Sequence, residues 1–96
     1  MPLELTKPDV ELLSKLTLGE RILYVRRLHE VKEGDPFTIK SLSERVGIST
    51  SNLSGIERGQ SKNPSFGTIV KIARELNLSL DLLAENYAEP EVQHAG

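Results

Sequence analysis

The chain contains no cysteine, and that one absence removes disulfides, thiolate metal sites and thiol nucleophiles together. It has no apolar run near the ~20 residues that a membrane helix needs. Its start, MPLELTKPDV, places acids and prolines where a secretory leader would place a basic stretch and an apolar core. A cytoplasmic protein with no membrane association is expected. No glycine-rich phosphate loop ending in Lys-Ser or Lys-Thr is present, and no G-x-S-x-G elbow presents a serine for attack. His29 and His94 stand far apart in sequence, neither with a second ligand at metal spacing. The expectation is a protein that is not an enzyme and needs neither metal nor cofactor. An excess of positive charge is missing as well. Twelve basic and fourteen acidic residues leave a net charge of −2, the wrong sign for a nucleic-acid binder if only the sum is considered.

What the sequence does have is helical periodicity. Its 96 residues fit one domain with a modest core, and no alternating run reads as a strand. Pro8-Asp9 opens a short helix with Val10, Leu13 and Leu16 on one face. A stronger helix after Gly19 points Ile22, Val25, Leu28 or His29, and Val31 inward, and ends at Glu33-Gly34-Asp35-Pro36. Leu23 and Tyr24 lie off that stripe and either cover the N-terminal helix or belong to an interface. Thr38 caps a helix carrying Leu42 and Val46, Ser49 caps one carrying Leu53 and Ile56, and Ser65 starts one carrying Phe66, Ile69, Ile72, Ala73 and Leu76. Ser79 caps a last short helix from Leu80 to Glu85. The expected fold class is all-α, with residues 1–18 an N-terminal extension, 19–85 the domain and 86–96 a polar tail.

The informative segment is Thr38 to Gly59, TIKSLSERVGISTSNLSGIERG. Two short helices are separated there by Gly47-Ile48-Ser49. Small Ser43 permits a close helix crossing, Gly47 accepts a positive φ without steric cost, and Leu42, Val46, Ile48, Leu53 and Ile56 can meet inside the corner. Thr50, Ser51, Ser54 and Gly55 are left free on the outer face of the second helix. The charge is uneven in the same region. From Thr38 to Arg74 the basic residues are Lys40, Arg45, Arg58, Lys62, Lys71 and Arg74, against Glu44 and Glu57 alone. Such a local excess suits phosphates.

From Gly19 to Glu85 the chain resembles the five-helix DNA-binding domain of the Cro and phage-repressor (XRE) family. The resemblance is carried by SLSERVGIS at the corner, LSGIERG through the second helix, NPSFGTIVKIARELNLS downstream and LSLDLLAE at the close. It implies a repressor-like fold in which Thr50, Ser51, Asn52, Ser54 and Gly55 face bases in the major groove. Ser49, Lys40, Arg58, Lys62 and Asn63 would contact phosphates. It also implies a structural ion pair between Arg26 and Glu57, and dimer contacts at Pro64, Leu82 and Leu83. Two departures from the family pattern bear on recognition. Ile39 stands where the family often has a phosphate-holding Gln, and the base-facing set lacks a long Gln or Arg arm for bidentate base contacts. The function implied is a sequence-specific regulator of transcription. It would be a repressor acting as a homodimer on double-stranded DNA, at a two-fold symmetric operator. The rival is an antitoxin or anti-repressor-type module on the same fold whose main partner is another protein, to which the apolar Leu3, Leu5 and Leu12 would contribute.

Overall fold

Every helix of the described structure begins on a hydroxyl. In a computed structural model, which describes residues 5–60 and 64–84, the helices are α1 (Lys7–Leu13), α2 (Leu18–Glu33), α3 (Ile39–Val46), α4 (Thr50–Glu57), α5 (Phe66–Glu75) and α6 (Leu80–Ala84). Thr6, Thr17, Thr38, Ser49 and Ser65 each accept a hydrogen bond from the backbone N–H three residues on, and Ser79 accepts from Leu82 N–H. The first four N–H groups of a helix have no intrahelical partner, and the cap supplies one. In α1 and α2 the bond is reciprocated, because Asp9 and Glu20 reach back to the N–H groups of Thr6 and Thr17. A 3-10 turn, Asp35–Phe37, joins α2 to α3. Among the described residues there is no strand, and no helix is long and apolar enough to cross a membrane.

The core gathers Leu13 from α1, Ile22 and Val25 from α2, Leu42 and Val46 from α3, Leu53 and Ile56 from α4, Ile69, Ile72 and Ala73 from α5, and Leu83 from α6. Leu13 is only 1% exposed, so the core continues into the segment expected to be an extension. Tyr24 Oη donates to Asp9 Oδ1 over 2.6 Å, which sets the off-stripe tyrosine over the N-terminal helix. Asn77 closes α5 at φ 53°, a left-handed conformation that asparagine accepts more readily than most residues.

Two expectations for α2 are corrected and one open choice is decided. The helix starts at Leu18 on the Thr17 cap, before Gly19, and Gly19 lies buried inside its first turn. His29, not Leu28, takes the inward position, and its Nε2 lies 2.6 Å from the Leu76 carbonyl. Its ring stacks on Phe37 with centroids 4.4 Å apart. Val31, expected inward, is 88% exposed. It follows Ile22 by nine positions, about two and a half turns, which carries it to the opposite face.

Candidate nucleic-acid interface

The corner between α3 and α4 is closed by Gly47, which sits at φ 87°, ψ 27°. A Cβ there would meet no atom, so glycine is needed for its backbone angle alone. Gly47 N–H and Ile48 N–H both donate to the Ser43 carbonyl, which turns the chain within one residue of the helix end. Ser43 is 1% exposed at the crossing, and its Oγ lies 3.3 Å from Thr50 Oγ1, at the first position of α4. Ile39 opens α3 half-buried and packed against the core.

The two faces of α4 are sharply divided. Leu53, Ile56 and Glu57 are buried, whereas Thr50, Ser51 and Asn52 are exposed and Ser54 and Gly55 half-exposed. The five residues expected to face bases therefore share the outward side of one helix. Ser49, Lys40 and Arg58 are exposed around it, while Lys62 and Asn63 lie outside the described residues. Arg45 is drawn away from this surface. Its Nε donates to Glu75 Oε1 over 2.7 Å, and its guanidinium lies 5.1 Å from the centroid of the Phe37 ring.

The orientation of the pair is held from behind by Arg26. Its Nε and Nη2 donate to Glu57 Oε2 and Oε1 over 2.6 and 3.1 Å, and its Nη1 donates to the Phe37 carbonyl over 3.2 Å and to Glu30 Oε1 over 3.3 Å. One buried guanidinium thus ties the end of α4 to the turn that leads into α3. Burial pulls the basicity of Arg26 down, but the hydrogen bond and charge of Glu57, followed by those of Glu30, outweigh it, and the net direction is upward. The cation is fixed in place.

Two contacts that sequence reasoning missed complete the support. A Cβ on Gly19 would lie 2.1 Å from the Ile56 carbonyl oxygen, so the first turn of α2 rests directly on the last turn of α4. A helix-interior glycine usually costs stability, and its position here should have been a signal of close approach. Arg21 is 2% exposed. Its Nε donates to the Leu16 carbonyl over 2.9 Å, its Nη1 to the Leu82 carbonyl over 3.1 Å and its Nη2 to the Ser14 carbonyl over 3.4 Å. It thereby joins α6 to the end of α1. Nothing in the local pattern separates it from a surface arginine.

The expected dimer residues differ in exposure. Leu83 is 0% exposed, within the core, and Pro64 is buried, so neither offers a free surface. Leu82 is half-buried. An open groove does exist elsewhere, between α1 and α2, lined by Leu12, Leu16, Leu23 and Tyr24 and edged by Glu20 and Arg27. Among the described residues, no three His, Cys, Asp or Glu side chains come together as metal ligands.

Comparison with known proteins agrees with this geometry. Residues 37–83 match the profile of the family described as helix-turn-helix, a span that contains α3 to α5 and most of α6. The chain is similar to the HTH-type transcriptional regulator YobD of Bacillus subtilis, 29% identical over 69 residues, which is 72% of this chain and 61% of that protein. It is similar also to the HTH-type transcriptional regulator SinR of Bacillus subtilis, 29% identical over 66 residues, or 69% of this chain and 60% of that protein. SinR of Bacillus licheniformis matches to the same degree. The chain thus spans about three-fifths of the length of the relatives it matches. No solved structure gives a significant match. The left-handed corner and the divided faces of α4 fall within the same span, residues 37–83, over which the chain is similar to the helix-turn-helix family.

Proposed function

We propose that the protein is a sequence-specific regulator of transcription that binds double-stranded DNA in the cytoplasm, acting as a repressor and as a homodimer on a two-fold symmetric operator. The observation that carries this reading is the outward face of α4, where Thr50, Ser51 and Asn52 stand exposed at the first turn of a helix whose other face is locked into the core. A helix of this kind fits the major groove, with its N-terminal residues nearest the base edges. Lys40, Ser49 and Arg58, with Lys62 and Asn63 shortly after α4 in the sequence, take the phosphates. The regulators YobD and SinR, named above, support the same role. The short side chains of the reading face make specificity lean on single hydrogen bonds, methyl contacts and DNA shape. Leu82 remains a candidate dimer contact.

The test is selection of binding sites from random DNA, followed by titration of the recovered site against salt. A two-fold site with half-sites about 34 Å apart is expected, with affinity falling steeply as salt rises. The salt slope should drop by roughly one for Arg58→Ala and again for Lys62→Ala. Binding that is indifferent to both salt and sequence sinks the proposal.

A second reading, a toxin-binding or anti-repressor-type module, is favoured by the apolar groove between α1 and α2. Val10 and Leu12 are also exposed, at 37% and 39%. It predicts a stoichiometric protein complex that persists without DNA. Leu12→Glu should dissolve that complex and leave DNA binding intact.

A further inference from the structure

The hydroxyls of Ser43 and Thr50 are in contact, and only one direction of donation between them satisfies both contacts of Ser43. Ser43 Oγ donates to the Lys40 carbonyl over 2.8 Å, one turn back in α3. A hydroxyl has a single hydrogen, so Ser43 can offer only a lone pair to Thr50, whose Oγ1 is 3.3 Å away. The hydrogen in that contact belongs to Thr50. Ser43 is 1% exposed, so its oxygen has no water to turn to, and losing either bond would leave a buried polar group under-satisfied. Thr50 is exposed at the start of α4, with its hydrogen directed inward. What it presents outward is a methyl group and an oxygen that can only accept.

The geometry points to Ser43 as a positioning residue that makes Thr50 an acceptor-only reader of base edges. Phosphate oxygens are acceptors, so Thr50 in this state does not bond to them. In the major groove the donors are the adenine N6 and cytosine N4 amino groups, whereas guanine presents the acceptors O6 and N7. Thr50 therefore selects an amino-bearing base beneath it, or a thymine methyl through its own methyl group, and rejects guanine. A threonine whose hydroxyl could turn freely would bond either kind of edge. This inference rests on the DNA-binding reading above and assigns the proton that gives one position of the site its preference.

The experiment uses the full chain and the site recovered by selection, with all four bases placed in turn at each position. The wild type should disfavour guanine about five- to tenfold at one position per half-site, within the usual cost of a mismatch. Ser43→Ala, which frees the Thr50 hydrogen, should reduce that discrimination to within about twofold and leave the salt slope unchanged. Thr50→Val, isosteric and on the surface, should lose the preference for adenine or cytosine over guanine while keeping any preference for thymine, and the double variant Ser43→Ala/Thr50→Val should behave as Thr50→Val alone. Melting temperatures of the variants show that the loss is not one of folding. Undiminished rejection of guanine in Ser43→Ala overturns the proposal. So does a Thr50→Val variant that weakens all sequences equally and leaves the base preference unchanged, since Thr50 would then be holding a phosphate. A wild type that binds DNA with no preference at any position overturns this proposal, while one that binds none overturns the parent reading with it.

Discussion

Arg26 and Glu57 are almost wholly withdrawn from solvent, at 5% and 6% exposure, and each depends on the other to be there. Removing one partner of such a pair strands the other as a buried charge, which is far more costly than the pair is stabilising. Glu57→Ala should lower stability by roughly 3 kcal/mol or more, read as the shift of the urea midpoint at constant slope. An unmoved midpoint would mean that water or its existing bond to Glu30 is enough to hold Arg26. At the surface the balance differs. The hydrogen bond from Tyr24, then those from the backbone and side chain of Thr6, hold the Asp9 carboxyl below its ordinary value of 3.8, and the bond to Asp9 raises the Tyr24 phenol above its ordinary value of 10.0. The depressed acid contributes stability above 3.8 that is lost as pH falls through its lower folded value; the raised phenol contributes stability below 10.0 that is lost as pH rises through its higher one. Tyr24→Phe should therefore melt slightly lower than the wild type near neutrality. The gap should close in acid below pH 3.8 and in alkali above pH 10.0. A gap that is constant with pH would show that the tyrosine contributes packing only.

Among the helices, the contact between α2 and α4 is the most demanding. With the Ile56 oxygen 2.1 Å from an added Cβ, Gly19→Ala must push the two helices apart. Overpacking of this kind costs about 1–3 kcal/mol. The substitution should also weaken DNA binding, because the displaced element is the one proposed to read the groove. Thermal unfolding and DNA titration of the same variant test both parts, and a variant with wild-type melting would show that α2 yields without consequence. Ser49→Ala, which removes the cap of α4, should cost about 1 kcal/mol. What was legible in the sequence follows the same division between local and tertiary causes. The starts at Thr38, Ser49, Ser65 and Ser79 and the corner at Gly47 are local signals, and they stand where the residues place them. The surroundings of Gly19, Arg21, Pro64 and Leu83 are decided by segments distant in sequence, so no window around them carries the answer. His29 shows the limit from the other side. The apolar stripe reaches its position, but only the Leu76 carbonyl and the Phe37 ring explain why a histidine fills it. Of the candidate interface, the outward face of α4 was readable from spacing, whereas the hydrogen bond linking Ser43 to Thr50 required the fold.

On the scale of the whole molecule, α1 packs into the same core as the helices that follow it. Leu13→Ala should cost about 2–5 kcal/mol, as a large-to-small change in a core does, although the residue lies in what reads as an extension. A loss under 1 kcal/mol would mean that α1 is only loosely docked. Arg21 reinforces the closure by holding the carbonyls of Ser14 and Leu82 together, so the end of α1 and the last described helix meet on one side chain. The hydroxyl at the start of every described helix has a kinetic consequence. Helix boundaries written into tripeptide-range contacts are available to the unfolded chain before any distant residues meet. Little of the search is then spent on the slow closure of long loops, and domains built from local contacts fold in microseconds to milliseconds. Refolding within about a millisecond is expected, in a single phase. Threonine-to-alanine changes at the caps of α1 and α2 would separate the helix starts that shape the transition state from those that form after it.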